Sequence, residues 1–552
     1  MKLVRNILLA TCSAAALSGC GADDVASPGA GTIIITNPTP APSPTPTPTP
    51  TTGTVTPASG CPTIADPQGL TDGGTIKGPT GEWRVCALPA RINRSITLQK
   101  LPGVLYQLAG RTDVGTDGGP SPDVTSGGTT TSADGILDTN VTLTIQPGVI
   151  IYANVGTAWL NVNRGNKISA VGTATSPIIF TSRDNVNGLN NDNSSGQWGG
   201  VVLSGRAQIT DCAASAATPG TVACERQTEG AVDPALYGGA TNDDNSGRLS
   251  FVQIRYSGYV LSSNSELQSL TTQGVGSATV IDHIMSFNSS DDGAEFFGGH
   301  VNMKYYVSIG AEDDNLDTDT GLKGNFQYVL VAQRNNSTPA IADSMIEADS
   351  DNTVDGNTPR QNVHLANFTF IDRVAGNSDV ASILLRGGTD YTAVNGVMVN
   401  TVTNPCLRIS RPQTASTVQS TALDEVGAPV FNSVVFSGCG TAPFSGGNGV
   451  TDDQVRAIFA AGSNNNAAFT STLTSLFING ANETAVTPFD ASTFNGLSFN
   501  GISLVPAGFF DNTPYIGAVR DANDTWYKGW TCNSATADLG NPTALCTSLP
   551  TT

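Results

Sequence analysis

The sequence predicts an all-β solenoid, a chain wound into stacked coils of short strands, and three observations predict it. Charged residues make up only 13% of the 552 residues while glycine alone supplies 61, a turn-rich β composition and not a helical one. From about residue 85 to residue 450, β-rich runs recur between Gly, Asn and Asp, among them VTLTIQPGVIIYA, PIIFTS, LSFVQIRYSG, FQYVLVAQ and HLANFTFID. Several register on one another: His283-Ile284 falls over Tyr306-Val307 and then Tyr328-Val329, at spacings of 23 and 22 residues. A period in the low twenties built from strands and turns marks β coils, whereas an immunoglobulin-like array explains the strands but not the constant offset.

Taken in chain order, residues 1–20 read as a leader, with Lys2 and Arg5 ahead of the apolar ILLATCSAAAL. The closing LSGC resembles a bacterial lipobox, which implies that Cys20 carries the lipid (palmitate among its acyl chains). Gly21 after that Cys implies sorting to the outer membrane. Residues 21–60 form a Pro/Thr-rich tether, TNPTPAPSPTPTPTPTTGTVTP at its heart. Alternating proline favours polyproline II, a spacer on the order of 60 Å long. Residues 61–450 are the expected β-helix and residues 451–552 a C-terminal cap region. TDDQVRAIFAAG within it reads as a short helix, capped at Thr451 or Asp452, with Val455, Ile458 and Phe459 as its apolar stripe and Gly462 at its end. The cysteines beyond the leader fall into neighbouring pairs: Cys61 and Cys86, Cys212 and Cys224, Cys406 and Cys439, Cys532 and Cys546. For an exported chain local disulfides are expected, and pairing of neighbours is the least demanding connectivity.

The balance of 26 basic to 46 acidic residues, net −20, argues against nucleic acid as a partner. Two acidic clusters stand close together, NSSDDGAEFFGG and AEDDNLDTDTG. Shifted by 22 residues, Asp291-Asp292 lies over Asp313-Asp314, Glu295 over Asp317, Phe297 over Asp319 and Gly299 over Gly321. The third copy, MIEAD, adds Glu347 and Asp349. Side chains alternate along a strand, so Ala294, Phe296, Leu316 and Ile346 point inward, while Glu295, Asp317 and Glu347 form one outward file. Carboxylates on coils about 4.8 Å apart repel by roughly 1 kcal/mol in water and 3–4 kcal/mol at an effective dielectric near 20. Such a ladder is expected to gather Ca²⁺ along Asp291, Asp292, Glu295, Asp313, Asp317, Asp319, Glu347 and Asp349. It does so without an EF-hand, because Thr318 stands where that loop needs Gly and Gly324 where it needs Glu. Phe297 and the tyrosines Tyr305 and Tyr328 are expected either to stack a sugar beside the acids or to join the core. His283, His300 and His364 are expected on the coil surface.

Together, WLNVNRGNKISAVGTATSPIIFTS, GQWGGVVLSGRA, NSSDDGAEFFGG and the closing YIGAV and WYKGW resemble a group of proteobacterial β-helix lipoproteins. That resemblance implies a right-handed parallel β-helix. VIDHIMSF, DGAEFF and PRQNVHLANF are also similar to segments of pectate lyases. The similarity implies Ca²⁺ held by Asp291, Asp292, Glu295 and Asp317, with Arg360 as the base that removes the proton alpha to a uronate carboxylate. The Arg-x-Pro-x-x-Arg pattern of those enzymes is absent here, Asn357 and Thr358 preceding Pro359. A polygalacturonase-like reading of Asp291-Asp292 lacks its basic partner motif. The leading expectation is therefore an outer-membrane-anchored protein that binds a glycan or partner without catalysis. The alternatives are a Ca²⁺-dependent lyase, and a structural, adhesive or accessory protein serving an outer-membrane receptor or transporter.

Overall fold

In the computed structural model the chain winds through two long sheets, each turn from Gly247–Arg255 onward giving one strand to each and the earlier turns giving two short strands to one of them. A broad sheet has 15 strands and a narrow sheet 11. The structure describes residues 54–262, 265–334, 343–350, 358–374, 381–402 and 404–551; the leader, Cys20 and most of the tether lie outside them. In the middle coils the chain passes from His300–Ile309 (broad) to Leu316–Asp319 (narrow), Lys323–Ala332 (broad), Ile346–Asp349 (narrow) and Asn362–Asp372 (broad). Successive coils pair in parallel throughout this region. This is the all-β parallel β-helix that the repeat predicts. At the N-terminal edge Thr71–Gly78 pairs antiparallel with Gly81–Ala87 and so covers the first broad strand. No helix among the described residues is long and apolar enough to cross a membrane.

Alternation builds the core. Ala294, Phe296, Leu316, Ile346, Ala348, Ile383 and Leu385 from the narrow sheet meet Ile284, Tyr306, Val329 and Phe368 from the broad sheet in one apolar cluster. Here one expected register is corrected. Ile284 pairs with Tyr306, and Tyr306 with Val329, so His283 lies over Tyr305 and not Tyr306. The extra residue of the later coil is Leu322, which sits between the aligned Gly299 and Gly321 and the paired His300 and Lys323 and tucks into the core. Both spacings occur, in the reverse order. Since a one-residue slip exchanges faces, the correction moves Tyr306 inside and His283 outside.

A second feature lies in the interior of each broad strand. Phe251, His283, Tyr305, Tyr328, Asn367, Asn395 and Ser433 occupy equivalent places on successive coils, and all have φ between 52° and 63°. Left-handed backbone interrupts a strand, so each coil turns a corner there, and bulky residues rarely accept that conformation. The column stabilises itself by stacking: ring centroids lie 4.0 Å apart for Phe251–His283, 4.4 Å for His283–Tyr305 and 4.8 Å for Tyr305–Tyr328. His283 also shares a hydrogen bond with Asp282 Oδ1 (2.7 Å).

The tail uses this column. Asp452–Ala460 is the expected helix, capped by Thr451 in a capping box with Gln454, and Ala461 rather than Gly462 is its C-cap. Val455 and Phe459 close the core over the last coil, Phe459 lying 4.5 Å from the Phe436 ring. Beyond about residue 470 the chain does not stay over that end. It runs back along the outer side of the broad sheet, corner by corner. Asn395 Nδ2 donates to Phe489 O (2.9 Å), Asn367 Nδ2 to Thr513 Oγ1 (2.9 Å), and Tyr328 OH to Asp511 Oδ2 (3.0 Å). Trp526 packs on Tyr305, and Trp530 edges against His283 and Phe251. Finally Leu549 joins Trp83, Leu105 and Ile150 at the first coils. The reason is area: Met285, Phe287, Val307, Ile309 and Leu330 make an apolar outer face, and the tail is its cover. All four neighbouring cysteine pairs are disulfide-bonded, Cys61–Cys86, Cys212–Cys224, Cys406–Cys439 and Cys532–Cys546.

Candidate functional site

The outward file of the narrow sheet forms as the 22-residue shift requires. Glu295 pairs with Asp317 and Asp317 with Glu347, while Phe297 pairs with Asp319. One oxygen each from Asp292, Glu295 and Asp317 lie within 4.8 Å of one another, as do those from Asp291, Asp292 and Asp313. The structure therefore brings five of the expected ligands into two overlapping clusters. Glu347 and Asp349 meet a cation of the protein itself instead: Arg386 pairs with Glu347 and, at 3.3 Å, with Asp349 Oδ2.

The file points away from the core, yet it is covered. Glu295, Asp317, Asp319, Glu347 and Asp349 are all 4% exposed or less. The cover is the excursion between the strands Val201–Ser204 and Gly247–Arg255, pinned by Cys212–Cys224. Its backbone is sewn to the turns that follow the acidic strands. Gly299 N donates to Gln208 O (2.8 Å) and Thr210 N to Thr320 O (3.1 Å). Gly321, at φ 85°, leaves room for Thr210, which a Cβ would meet at 2.7 Å. Tyr237 packs on Phe297, which is buried, and Phe296 lies in the core, so neither ring offers a sugar an exposed face. Arg226, part of this cover, is held by Asp211 (2.5 Å) and lies within electrostatic reach of Asp319.

Burial dominates the electrostatics. Asp291, Asp292, Glu295, Asp313, Asp317 and Asp319 all have pKa values well above the ordinary carboxylate range, first from desolvation and then from the charge of neighbouring carboxylates, Glu266 and Glu229 beside Asp291 and Glu347 and Asp349 beside Asp317 among them. Glu229 of the excursion is pushed up to about 7 by burial, a hydrogen bond from Ser265 holding it back. Partners are few. Asp292 Oδ1 accepts from Asp314 N (2.9 Å) and Asp291 Oδ2 from Gln268 (3.3 Å). Among the described residues neither oxygen of Asp319, nor Asp317 Oδ1, has a hydrogen-bond partner. A set of buried hard oxygens with unmatched acceptors suits a hard divalent cation.

Arg360 is placed differently. It is 2% exposed, its guanidinium 3.3 Å from Glu425 Oε2, and its carbonyl takes the ammonium of Lys323, which also pairs with Asp424 (2.8 Å). These contacts bind the excursion Arg411–Gly427 to the coils. His300 and His364 are buried too, and not on the surface as expected. Desolvation, then the charge of Lys323, pushes them down to about 3 and about 4, so both are neutral.

Sequence reasoning missed Arg386, Arg226, Glu229 and Tyr237. Arg386 was legible: ILLRGG repeats the strand-then-glycines pattern of AEFFGG, and Asp349 pairs with Arg386. The excursion carried no such signal, because its contacts are long-range.

Parallel strands stacked coil on coil in two long sheets define the class of protein, a parallel β-helix. A family model described as a pectate-lyase-like β-helix domain matches residues 128–481, more than half of the chain, and the chain belongs to that family. No curated protein and no solved structure matches it.

Proposed function

We propose that this protein is a non-catalytic binding β-helix of the cell envelope, lipid-anchored through Cys20, whose acidic file holds a divalent cation, with Ca²⁺ the best fit. The observation that carries the cation is the buried cluster of Asp292, Glu295 and Asp317: each is 4% exposed or less, one oxygen of each lies within 4.8 Å of the others, and Asp317 Oδ1 lacks a hydrogen-bond partner among the described residues. Asp292, Glu295 and Asp317 would hold the ion, with Asp291 and Asp313 as a second group. The ion would supply charge neutralisation, which lets the disulfide-pinned excursion lie over the file with its carboxylates ionised.

Arg360 supports the non-catalytic half of the reading. A base for proton abstraction must reach substrate and shed its own proton, whereas this guanidinium is buried against Glu425. The preferred ligand class remains a glycan, bound elsewhere than on the covered file. A receptor of the outer membrane is the alternative partner.

Thermal unfolding with and without chelator tests the cation. Ca²⁺ at a hundredfold excess over its Kd should stabilise the protein by about 2.7 kcal/mol, and the gain should vanish in Asp292→Asn/Asp317→Asn. An unchanged midpoint on adding Ca²⁺ would end the proposal. Absence of any unsaturated product from polyuronates with Ca²⁺ is the matching expectation for activity.

A further inference from the structure

We infer that a cleft among the turns of the earlier coils, apart from the acidic file, binds a neutral saccharide. The cleft measures about 450 Å³ and contains none of the file's carboxylates. That volume falls within the roughly 300–1,000 Å³ usual for small-molecule sites. Its walls come from the turn after Ile150–Ala153, from the short helix Arg183–Asn187, and from Gln197 and Tyr259.

Three features specify the ligand. First, Asn154, Arg183, Asp184 and Asn187 line the cleft, and their side chains make no hydrogen bond or ion pair among the described residues. Together they offer an acceptor-only carboxylate, a donor-only guanidinium and two amides that do both, which is the mixture a row of hydroxyls requires. Second, Gln197 is pre-set. It exchanges hydrogen bonds with Asn190 (2.9 and 3.0 Å) and accepts from Ser182 Oγ, leaving one N–H of its amide for a ligand. Third, Tyr259 is half-buried and packs against Gly156, where any side chain would run into the ring. That packing fixes the ring as a rigid platform for the C–H face of a pyranose.

The charge argues for a neutral sugar. One guanidinium and one carboxylate cancel within the cleft, and a molecule of net −20 repels a polyanion. A single aromatic with only Ala153 and Val155 beside it, among six polar side chains, is too little apolar surface for a lipid or drug-like ligand. The inference rests on the reading of the protein as a binding module, and it does not need the cation.

The test is an array of neutral oligosaccharides, followed by calorimetry with the best binder and with hexagalacturonate as the acidic control. A neutral oligosaccharide should bind. Tyr259→Ala should weaken it by about tenfold or more and Asp184→Asn by about fivefold, the loss expected for one good contact. Asp184 is exposed, so its variant keeps the fold whatever happens to Tyr259→Ala. No neutral binder at millimolar concentration, a preference for hexagalacturonate, or binding indifferent to both substitutions would each overturn the assignment. Asp317→Asn separates the two proposals: it should abolish the Ca²⁺ response and leave saccharide affinity unchanged.

Discussion

Asp319 and Arg386 pose opposite problems within one cluster. The carboxylate has neighbours of its own sign and no donor; the guanidinium, 23% exposed at its side chain, answers Glu347 and Asp349 together. Replacing Asp319 by Asn is expected to stabilise the chelated protein by about 1–3 kcal/mol, since it removes a buried acidic group without a donor, and to leave the Ca²⁺ response, which rests on Asp292, Glu295 and Asp317, in place. Denaturant titration in chelator and in Ca²⁺ reads both effects. Arg386→Gln should do the reverse in chelator, destabilising by about 3 kcal/mol because two buried carboxylates lose their counter-ion. Away from the file, Asp372 is 1% exposed and pushed up to about 6 by burial, hydrogen bonds from Ser382 and Asn404 restraining it. Its folded pKa exceeds the unfolded value near 3.9, so its contribution is complete below about pH 4 and fades as pH rises through 6. Stability measured from pH 4.5 to 7.5 should therefore fall, and Asp372→Asn should flatten that fall by on the order of 2 kcal/mol. An identical slope in the variant would refute the assignment.

At the scale of elements, the excursion over the file and the tail along the corners do the covering. The Cys212–Cys224 bridge spans 12 residues, and closing a loop of that size contributes about 3 kcal/mol. With both cysteines changed to Ser, the excursion should open locally, visible as faster hydrogen exchange in Ala294–Phe297 and Leu316–Asp319 and as faster Ca²⁺ entry. Trp530 is fully buried between the corner column and the tail. Its replacement by Ala should cost about 3–5 kcal/mol. These covers mark the limit of what the residues alone disclosed. The narrow strands were legible because Glu295, Asp317 and Glu347 recur between matching glycines, and the helix at Asp452 because its cap and stripe are local. The corner column was not, since Phe251, Tyr305 and Tyr328 are residues that seldom adopt a left-handed backbone. Nor was the burial of the file: an outward place on a strand predicts exposure only when nothing folds back over it.

For the whole molecule, the coils stack identical positions, so one acidic coil becomes a column, and a column must be either hydrated or neutralised. The covering excursion removes water, which leaves protons or a metal ion. Protons alone would keep the carboxylates neutral and make the chelated fold progressively less stable as pH rises, whereas a bound cation holds them ionised at neutral pH. The net charge of −20 works in the same direction, concentrating cations around the coils. A crystal structure of the protein grown at neutral pH in millimolar Ca²⁺ tests this most directly. The account predicts density among Asp292, Glu295 and Asp317 with carboxylate oxygens at about 2.3–2.6 Å; carboxyls hydrogen-bonded to one another with no ion between them would contradict it.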